Sequence, residues 1–569
     1  MKFLICLSAT SFTLLFSIPM LSMPSPLFGS STDNQLSVNT QIEVNHDGAF
    51  TRTTVDQGND SFVIDRSKGE VTLSPPNLQW VIDDGGQLYI PTSVELGGRG
   101  TVAFYGCYLN NERNRLFSTL TSSSAEAPVW EDEGLLEAWS DIYVDASEDG
   151  NILTAIAQFP VEGDITRREV KVYKYTTDSS TPDWVYTFPN IINAGARIKI
   201  SRDGAYIAAA LYDNNTSTLE IAYFESDSPT PLFTDSFSSS FIRALDMTDN
   251  GGILYINEGT MIHIYDTSIQ SIIFSVNAGA SFDSHSISGD GSAFAFGGFN
   301  FVKCYGWNGS SYELLFTYWM SGSTYCARCD LSTDASTLAA AFYVYSPGLD
   351  FRVVSLEVPS GDVDFEADFT GTGDLQNAPW QIVTNDDGSR IAYGGWGDEG
   401  NTNPEVMIFE GSATPVASID TRGSVFDVDI SANGVFVVSG SKSVHANISG
   451  NGGDHACYYM GGQDLMVEGV PGLGDIVTFQ IEGDEGENVL LAASFNEVDI
   501  STPFGTLVVD PGQYIELGTG TIGPSGLIEF DVTVPNLPIL LGRKVVTQAI
   551  LWGGGNIHLT NGQVFLILP

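Results

Sequence analysis

Residues 198–215, IKISRDGAYIAAALYDNN, carry a pattern that much of the chain repeats. Ile198 and Ile200 alternate with polar residues up to Ser201, and an Asp203–Gly204 turn follows. A second apolar run, Ile207 to Leu211, ends in a polar cluster. Two β-strands joined by a tight turn read this way. The turn position recurs at Gly100, Gly150, Gly204, Gly251, Gly291, Ala335, Gly388 and Gly434. A repeat of this length made only of strands predicts a β-propeller, because each unit is one small sheet that needs neighbours to cover its faces.

The repeat has two further strands. Alternating segments at Val170–Tyr175, Leu219–Phe224, Met261–Tyr265 and Val406–Phe409 predict the third. The fourth is marked by Trp80, Trp130, Trp184, Phe233, Phe274, Phe316, Phe365 and Val416. The fourth-strand segment at Trp80 precedes every turn phrase, whereas the last phrase, at Gly434, gains a third strand near Ala456–Tyr459 and then lacks a fourth. The Trp80 strand is therefore expected to complete the last blade, which hides both open edges. The fold class is all-β: an eight-bladed propeller over residues 76–460, followed by a small β-sandwich. Seven blades is the alternative, if the Gly100 or Gly251 copy is not a full blade.

The flanks read differently. Residues 1–22 hold Lys2 and an apolar run from Phe3 to Ile18 closed by Pro19, as in a signal peptide. An uncleaved anchor is the alternative. Residues 23–75 form an extension with strand-like pieces at Gln41–Val44, Phe62–Ile64 and Glu70–Leu73. Residues 461–569 contain short alternating segments punctuated by Gly, Pro and Asn, which predicts the sandwich. With 23 Lys and Arg against 70 Asp and Glu, the formal charge is −47. Such a chain repels nucleic acid and anionic lipid and attracts cations. These features together predict a secreted or extracytoplasmic protein, at the cell surface or in the periplasm, with no integral span after signal cleavage.

The phrase Ser201–Arg202–Asp203–Gly204, with its apolar lead-in and Ala-rich second strand, resembles the turn phrase of WD-repeat-like propellers. Ser288–Gly291 and Ser431–Gly434 are similar. The family's Trp-Asp dipeptide is missing, Tyr265–Asp266 being nearest. The resemblance implies architecture and no particular activity. Residues 526–568, with Val534–Pro535, Leu541–Gly542, Gln548–Ala549 and Leu559–Gly562, resemble a C-terminal module of exported planctomycete proteins, which implies a bacterial, exported chain.

Catalytic signatures are absent: there is no G-x-S-x-G elbow, H-E-x-x-H pair or phosphate loop. Cys326 and Cys329 sit at strand core positions, where Cys acts as a small hydrophobe, although an exported protein can oxidise such a pair. Two residues before the Ser201 position of each phrase stand Glu95, Asp145, Lys199, Asp246, Ser286, Asp330, Val383 and Asp429. Glu95, Asp145, Asp246, Asp330 and Asp429 are candidate metal ligands, since a carboxylate ring on the innermost strands suits a hard cation. Ca²⁺ is the one cofactor candidate. The alternative is a hydrated channel wall whose carboxylates bond neighbouring backbone. The acidic run Asp362, Asp364, Glu366 and Asp368 has period two and reads as one solvated strand face.

Loops between second and third strands supply candidate ligand contacts: Asp213 and Asn215; Trp396, Asp398 and Asn401; and the pair His445 and His455. Trp396 is either an aromatic contact or a blade-packing residue. The expected function is non-enzymatic binding or scaffolding of a protein, peptide or glycan. The competing expectation is a divalent-cation-dependent hydrolase or lyase at the propeller face.

Overall fold

The computed structural model describes most residues from 77 to 567, together with short strands at Ser30–Ser31, Thr40–Val44, Phe50–Thr54 and Phe62–Asp65. Residues 1–22, where a signal peptide is expected, and Glu70–Leu73 lie outside the described residues. Eight four-stranded antiparallel units follow one another. Their strands, from innermost to outermost, are as follows. Blade 1 is Tyr89–Leu96, Val102–Leu109, Arg115–Leu120 and Trp130–Glu131, and blade 2 is Tyr143–Ala146, Ile152–Val161, Asp164–Thr176 and Trp184–Thr187. Blade 3 is Gly195–Ile200, Tyr206–Asp213, Thr218–Glu225 and Phe233–Ser238, and blade 4 is Ala244–Met247, Ile253–Asn257, Met261–Asp266 and Ser271–Asn277. Blade 5 is His285–Ile287, Ala293–Gly298, Phe301–Trp307 and Tyr312–Trp319, and blade 6 is Thr324–Leu331, Thr337–Val344, Asp350–Glu357 and Val363–Thr370. Blade 7 is Pro379–Thr384, Ile391–Gly395, Val406–Phe409 and Ala417–Asp420. Blade 8 takes Val425–Ile430, Phe436–Lys442 and Gly453–Tyr459 from the end of the propeller and Asn77–Asp83 from its start.

That last pairing closes the ring. Asp454 faces Asp83, Ala456 faces Val81 and Cys457 faces Trp80 in antiparallel register. The displaced fourth strand in the sequence thus has its counterpart in the fold. Phe62–Asp65 adds in parallel to the outer strand of blade 7.

Local chemistry explains the turns. All eight turn positions have positive φ, from 56° at Ala335 to 74° at Gly100 and Gly434. Seven are glycine, the residue that reaches this region without a Cβ penalty. In most blades the side chain that opens the turn accepts from the backbone beyond it: Ser201 Oγ takes Tyr206 N at 2.9 Å, and within the turn Asp203 Oδ1 takes Ala205 N at 2.9 Å. Thr248 and Asn385 play the Ser201 part in their blades.

Second strands are buried on both faces, and their Ala residues let blades approach closely. Ala209 packs with Ile198, Val172 and Trp184 between blades 2 and 3, while Ala208 and Ala210 pack with Leu245 and Ile256 between blades 3 and 4. Each face of a blade therefore feeds a different inter-blade core. The described cysteines, Cys107, Cys304, Cys326, Cys329 and Cys457, are buried free thiols, and three of them share one apolar cluster between blades 5 and 6.

The C-terminal part holds two facing sheets. One orders Leu465–Glu468, Ile476–Glu482 and Leu527–Thr533; the other orders Ile515–Thr521, Asn488–Ser494 and Lys544–Gly553. Phe479, Leu491, Leu517, Phe530, Ala549 and Leu551 form their common core. Alternation along each strand puts one side in this core and the other in solvent.

Candidate binding face at the mouth of the channel

Inner strands run along the central channel, so residues two apart on them line it. The carboxylate position shows a regular use. Asp145 of blade 2 accepts Ile200 N of blade 3 at 2.6 Å. Asp246 of blade 4 accepts Ile287 N of blade 5 at 3.0 Å, and Asp330 of blade 6 accepts Thr384 N of blade 7 at 2.8 Å. Asp429 of blade 8 accepts Leu96 N of blade 1 at 2.7 Å. Even-numbered blades thus each present an Asp to the backbone of the next blade. The corresponding odd-blade residues are Glu95, Lys199, Ser286 and Val383. Ser286 Oγ donates to Asp330 at 2.8 Å, and Lys199 Nζ lies 3.3 Å from Asp145.

Burial, and then proximity to Asp429 and Asp145, hold the Glu95 carboxyl well above its usual range. Burial pushes Asp330 up to about 6 and Asp429 up to about 7. Burial opposes the charge of Lys199, but Asp145, Glu95 and Asp246 outweigh it and raise its pKa. Among the described residues, no group of three or more His, Cys, Asp or Glu gathers as a metal centre.

At the turn end of the channel, Arg202 of blade 3 reaches across. Its guanidinium donates to Glu148 of blade 2 at 2.6 Å, to Thr333 of blade 6 at 2.8 Å, and to Asp386 of blade 7. Thr333 Oγ1 in turn donates to Asp386 at 3.1 Å. Backbone bonds join the same turns: Asp249 N donates to Gly289 O, Gly289 N to Thr333 O, and Asp386 N to Ala432 O.

The other end is built differently. Inner strands of blades 1, 6, 7 and 8 carry a β-bulge near their starts, at Thr92, Ala327, Trp380 and Phe426. A bulge inserts one residue and re-aims side chains. Trp380 stacks on Trp396 at 4.9 Å and meets Phe426 at 5.6 Å. Arg328 lies over Trp380 at 5.6 Å, and Lys442 over Phe426 at 5.9 Å. Arg197 covers Tyr143 at 4.8 Å, and Arg243 covers Phe241 at 4.7 Å. Asp283 Oδ2 stands 3.5 Å from Arg197 and 3.9 Å from Arg328. Burial works against the Asp283 charge, but Arg328, Arg197, His285 and Arg243 lower its pKa. This mouth therefore combines cations with aromatic faces, a pairing favoured by the ring quadrupole.

The residues expected from the loops occupy several distinct settings. Asp213 is buried and staples its own loop, accepting Asn215 N and Thr216 Oγ1 at 2.9 Å; Asn215 is exposed. Asp398 is buried and accepts from Thr372 and Thr402, through backbone and hydroxyl alike, and from Asn403 N. Burial alone would raise its pKa, but these donors lower it. Trp396 is half-buried against Trp380, and its carbonyl accepts from Ser424 Oγ at 2.7 Å and faces His445 Nδ1 at 3.1 Å. Asn401 donates to Asp420 at 2.5 Å. His445 lies 3.7 Å from the buried Glu405, whose carboxyl is raised by burial and by Asp420. His455 is fully buried between blades 8 and 1, 4.8 Å from the Tyr105 ring. The two histidines thus serve separate places. From the third strand of blade 6, Arg352 forks onto Asp368 of the outer strand and also reaches Glu366.

Trp380, Phe426, Arg197, Arg243 and Arg328 were not among the expected contacts. Arg197 and Arg328 stand two residues before the carboxylate position, a channel-lining place that the repeat alignment makes readable.

Comparison with known proteins returns fold likenesses only. No protein-family model matches the chain, and no curated protein matches it. It is similar to the β-propeller domain of Cps50 (Swd1) from Myceliophteria thermophila, at 13% identity and TM-score 0.40, over 56% of this chain and 96% of that one. It is likewise similar to the C-terminal WD40 domain of Sif2, at 12% identity and TM-score 0.46, over 66% of this chain and 97% of that one. By its own strand order and turn geometry the chain is a β-propeller.

Proposed function

We propose that this chain is a secreted, non-enzymatic binding or scaffold protein. Its ligand surface is the propeller face made by the channel mouth and the loops between second and third strands, and its partner is a protein, peptide or glycan. The C-terminal sandwich serves attachment or assembly. One observation carries this reading: in a chain of charge −47, Arg197, Arg243, Arg328 and Lys442 collect at one mouth beside Tyr143, Phe241, Trp380 and Phe426. Arginine with large aromatics is the composition of interaction hot spots. Peptide and glycan arrays probed with the full chain test it. Binding that is weakened by Trp396→Ala and kept by Arg352→Gln, on the third strand of blade 6, supports the reading. Array binding that ignores Trp396→Ala, or no binding, overturns it.

A further inference from the structure

We propose that the mouth seats the carboxylates of an acidic peptide segment, on Arg197, Arg243 and Arg328. This rests on the reading of the mouth as the ligand face. These guanidiniums come from blades 3, 4 and 6 and surround the carboxylate of Asp283, which enters from the blade 4–5 connection. Asp427 of blade 8 also feels Arg328, so three guanidiniums face two carboxylates and leave a local excess of cation. The contacts that exist are long: 3.5 and 3.9 Å lie beyond hydrogen-bond range for a guanidinium and a carboxylate. Arg197 spends Nε on Arg243 O at 3.1 Å and one terminal nitrogen on Ala196 O at 2.9 Å. Arg328 spends one terminal nitrogen on Ala327 O at 3.0 Å. Among the described residues no acceptor takes the guanidinium of Arg243, which is exposed on the Phe241 ring.

Free donors with an unfilled arrangement suit an incoming carboxylate, which pairs with arginine in a planar fork. The buried Asp283 Oδ1 also has no hydrogen-bond partner and can accept a backbone N–H of the same segment. A peptide supplies both groups, and Arg, Tyr and Trp at the rim match what protein partners bind. The rest of the molecule is strongly acidic, so a large acidic partner is repelled. At physiological ionic strength charges more than about 8 Å away are largely screened. A short, extended acidic segment that enters the mouth therefore feels mainly the arginines.

The test uses the full chain and a fluorescein-labelled decaglutamate peptide, with decaglutamine as control, read by fluorescence anisotropy. Decaglutamate is expected to bind and decaglutamine not to. Arg243→Gln, which alters an exposed side chain, is expected to weaken binding roughly tenfold or more, because a charge-assisted hydrogen bond is lost. Arg328→Gln should do the same, and Arg352→Gln should not. No binding of decaglutamate, or equal binding by Arg243→Gln, overturns the proposal. If a polyuronate binds in an Arg243-dependent way and decaglutamate does not, the ligand face stands and the peptide assignment fails. If an uncharged peptide binds with no dependence on these arginines, the ligand face again stands and the carboxylate site fails.

Discussion

Arg202 of blade 3 donates to Asp386 of blade 7, the blade directly across an eight-membered ring. With its further bonds to Glu148 and Thr333, one mostly buried guanidinium ties three other blades together. Burial disfavours its charge, but Asp386 and Glu148 hold it firmly protonated. Removing Arg202 leaves the half-buried carboxylates of Glu148 and Asp386 uncompensated, a cost that their partial exposure to solvent reduces. Arg202→Ala should lower unfolding free energy by about 1–2 kcal/mol, measured by chemical denaturation. Arg202→Lys should recover only part, because an ammonium lacks the planar fork.

A second expectation concerns pH. Asp330 and Asp427 are pushed by burial to about 6, and Asp429 to about 7. The groups facing Asp429 include Asp427 and Lys199, with Glu95 close by. Folded pKa values above the unfolded ones mean the native state holds more protons, so this contribution is present at low pH and is lost as pH rises from about 4 through 7. Asp398, Asp290 and Asp387 are lowered and act oppositely, losing their contribution as pH falls below about 4. Thermal melts should peak in mildly acidic buffer. Asp429→Asn should flatten the fall between pH 5 and 8, where an unchanged slope would contradict the assignment.

The turn positions offer a paired test. Ala335 holds φ 56° where its seven counterparts are glycine. Ala335→Gly should stabilise the protein by about 0.5–1 kcal/mol, the left-handed penalty less the entropy of glycine. Gly388→Ala should destabilise it by more, since its new Cβ would clash with the Thr337 side chain. Differential scanning calorimetry of both variants checks the sign.

Deleting residues up to Asp83 removes the strand that pairs with Gly453–Tyr459. Blade 8 then presents an open edge, and the propeller should lose cooperative unfolding and self-associate. Light scattering together with denaturation separates this from trimming of a passive tail, which would leave the protein monomeric and equally stable.

Where backbone geometry forces residue choice, the sequence was legible. Positive φ selects glycine, and a fourth strand left over at the start and missing at the end implies a seam, so the turns and the closure could both be read in advance. The mouth was harder. Each bulge adds one residue to an inner strand and breaks the alternation by which Trp380 and Phe426 would be placed. Asp213 and Asp398 illustrate a different limit. A carboxylate beside Asn and Thr in a loop is the signature of a ligand contact and equally of a self-stapled turn, and the bonds drawn here are of the second kind. His445 and His455 are near in sequence, yet one lies at the loop and the other inside a strand between blades.

The seam of the ring also sets an order of events. Asp83 pairs with Asp454, about 370 positions further along. A ribosome or an export channel that delivers the chain from its N-terminus releases the first strand of this contact long before the second. During that interval Asn77–Asp83 is an unpaired strand, and blades 1 to 7 can assemble without it. Completion of the propeller is thus a late, long-range step, of the kind that slows folding as loop closure grows. Until the eighth blade arrives, the molecule depends on whatever holds Asn77–Asp83 apart from other chains.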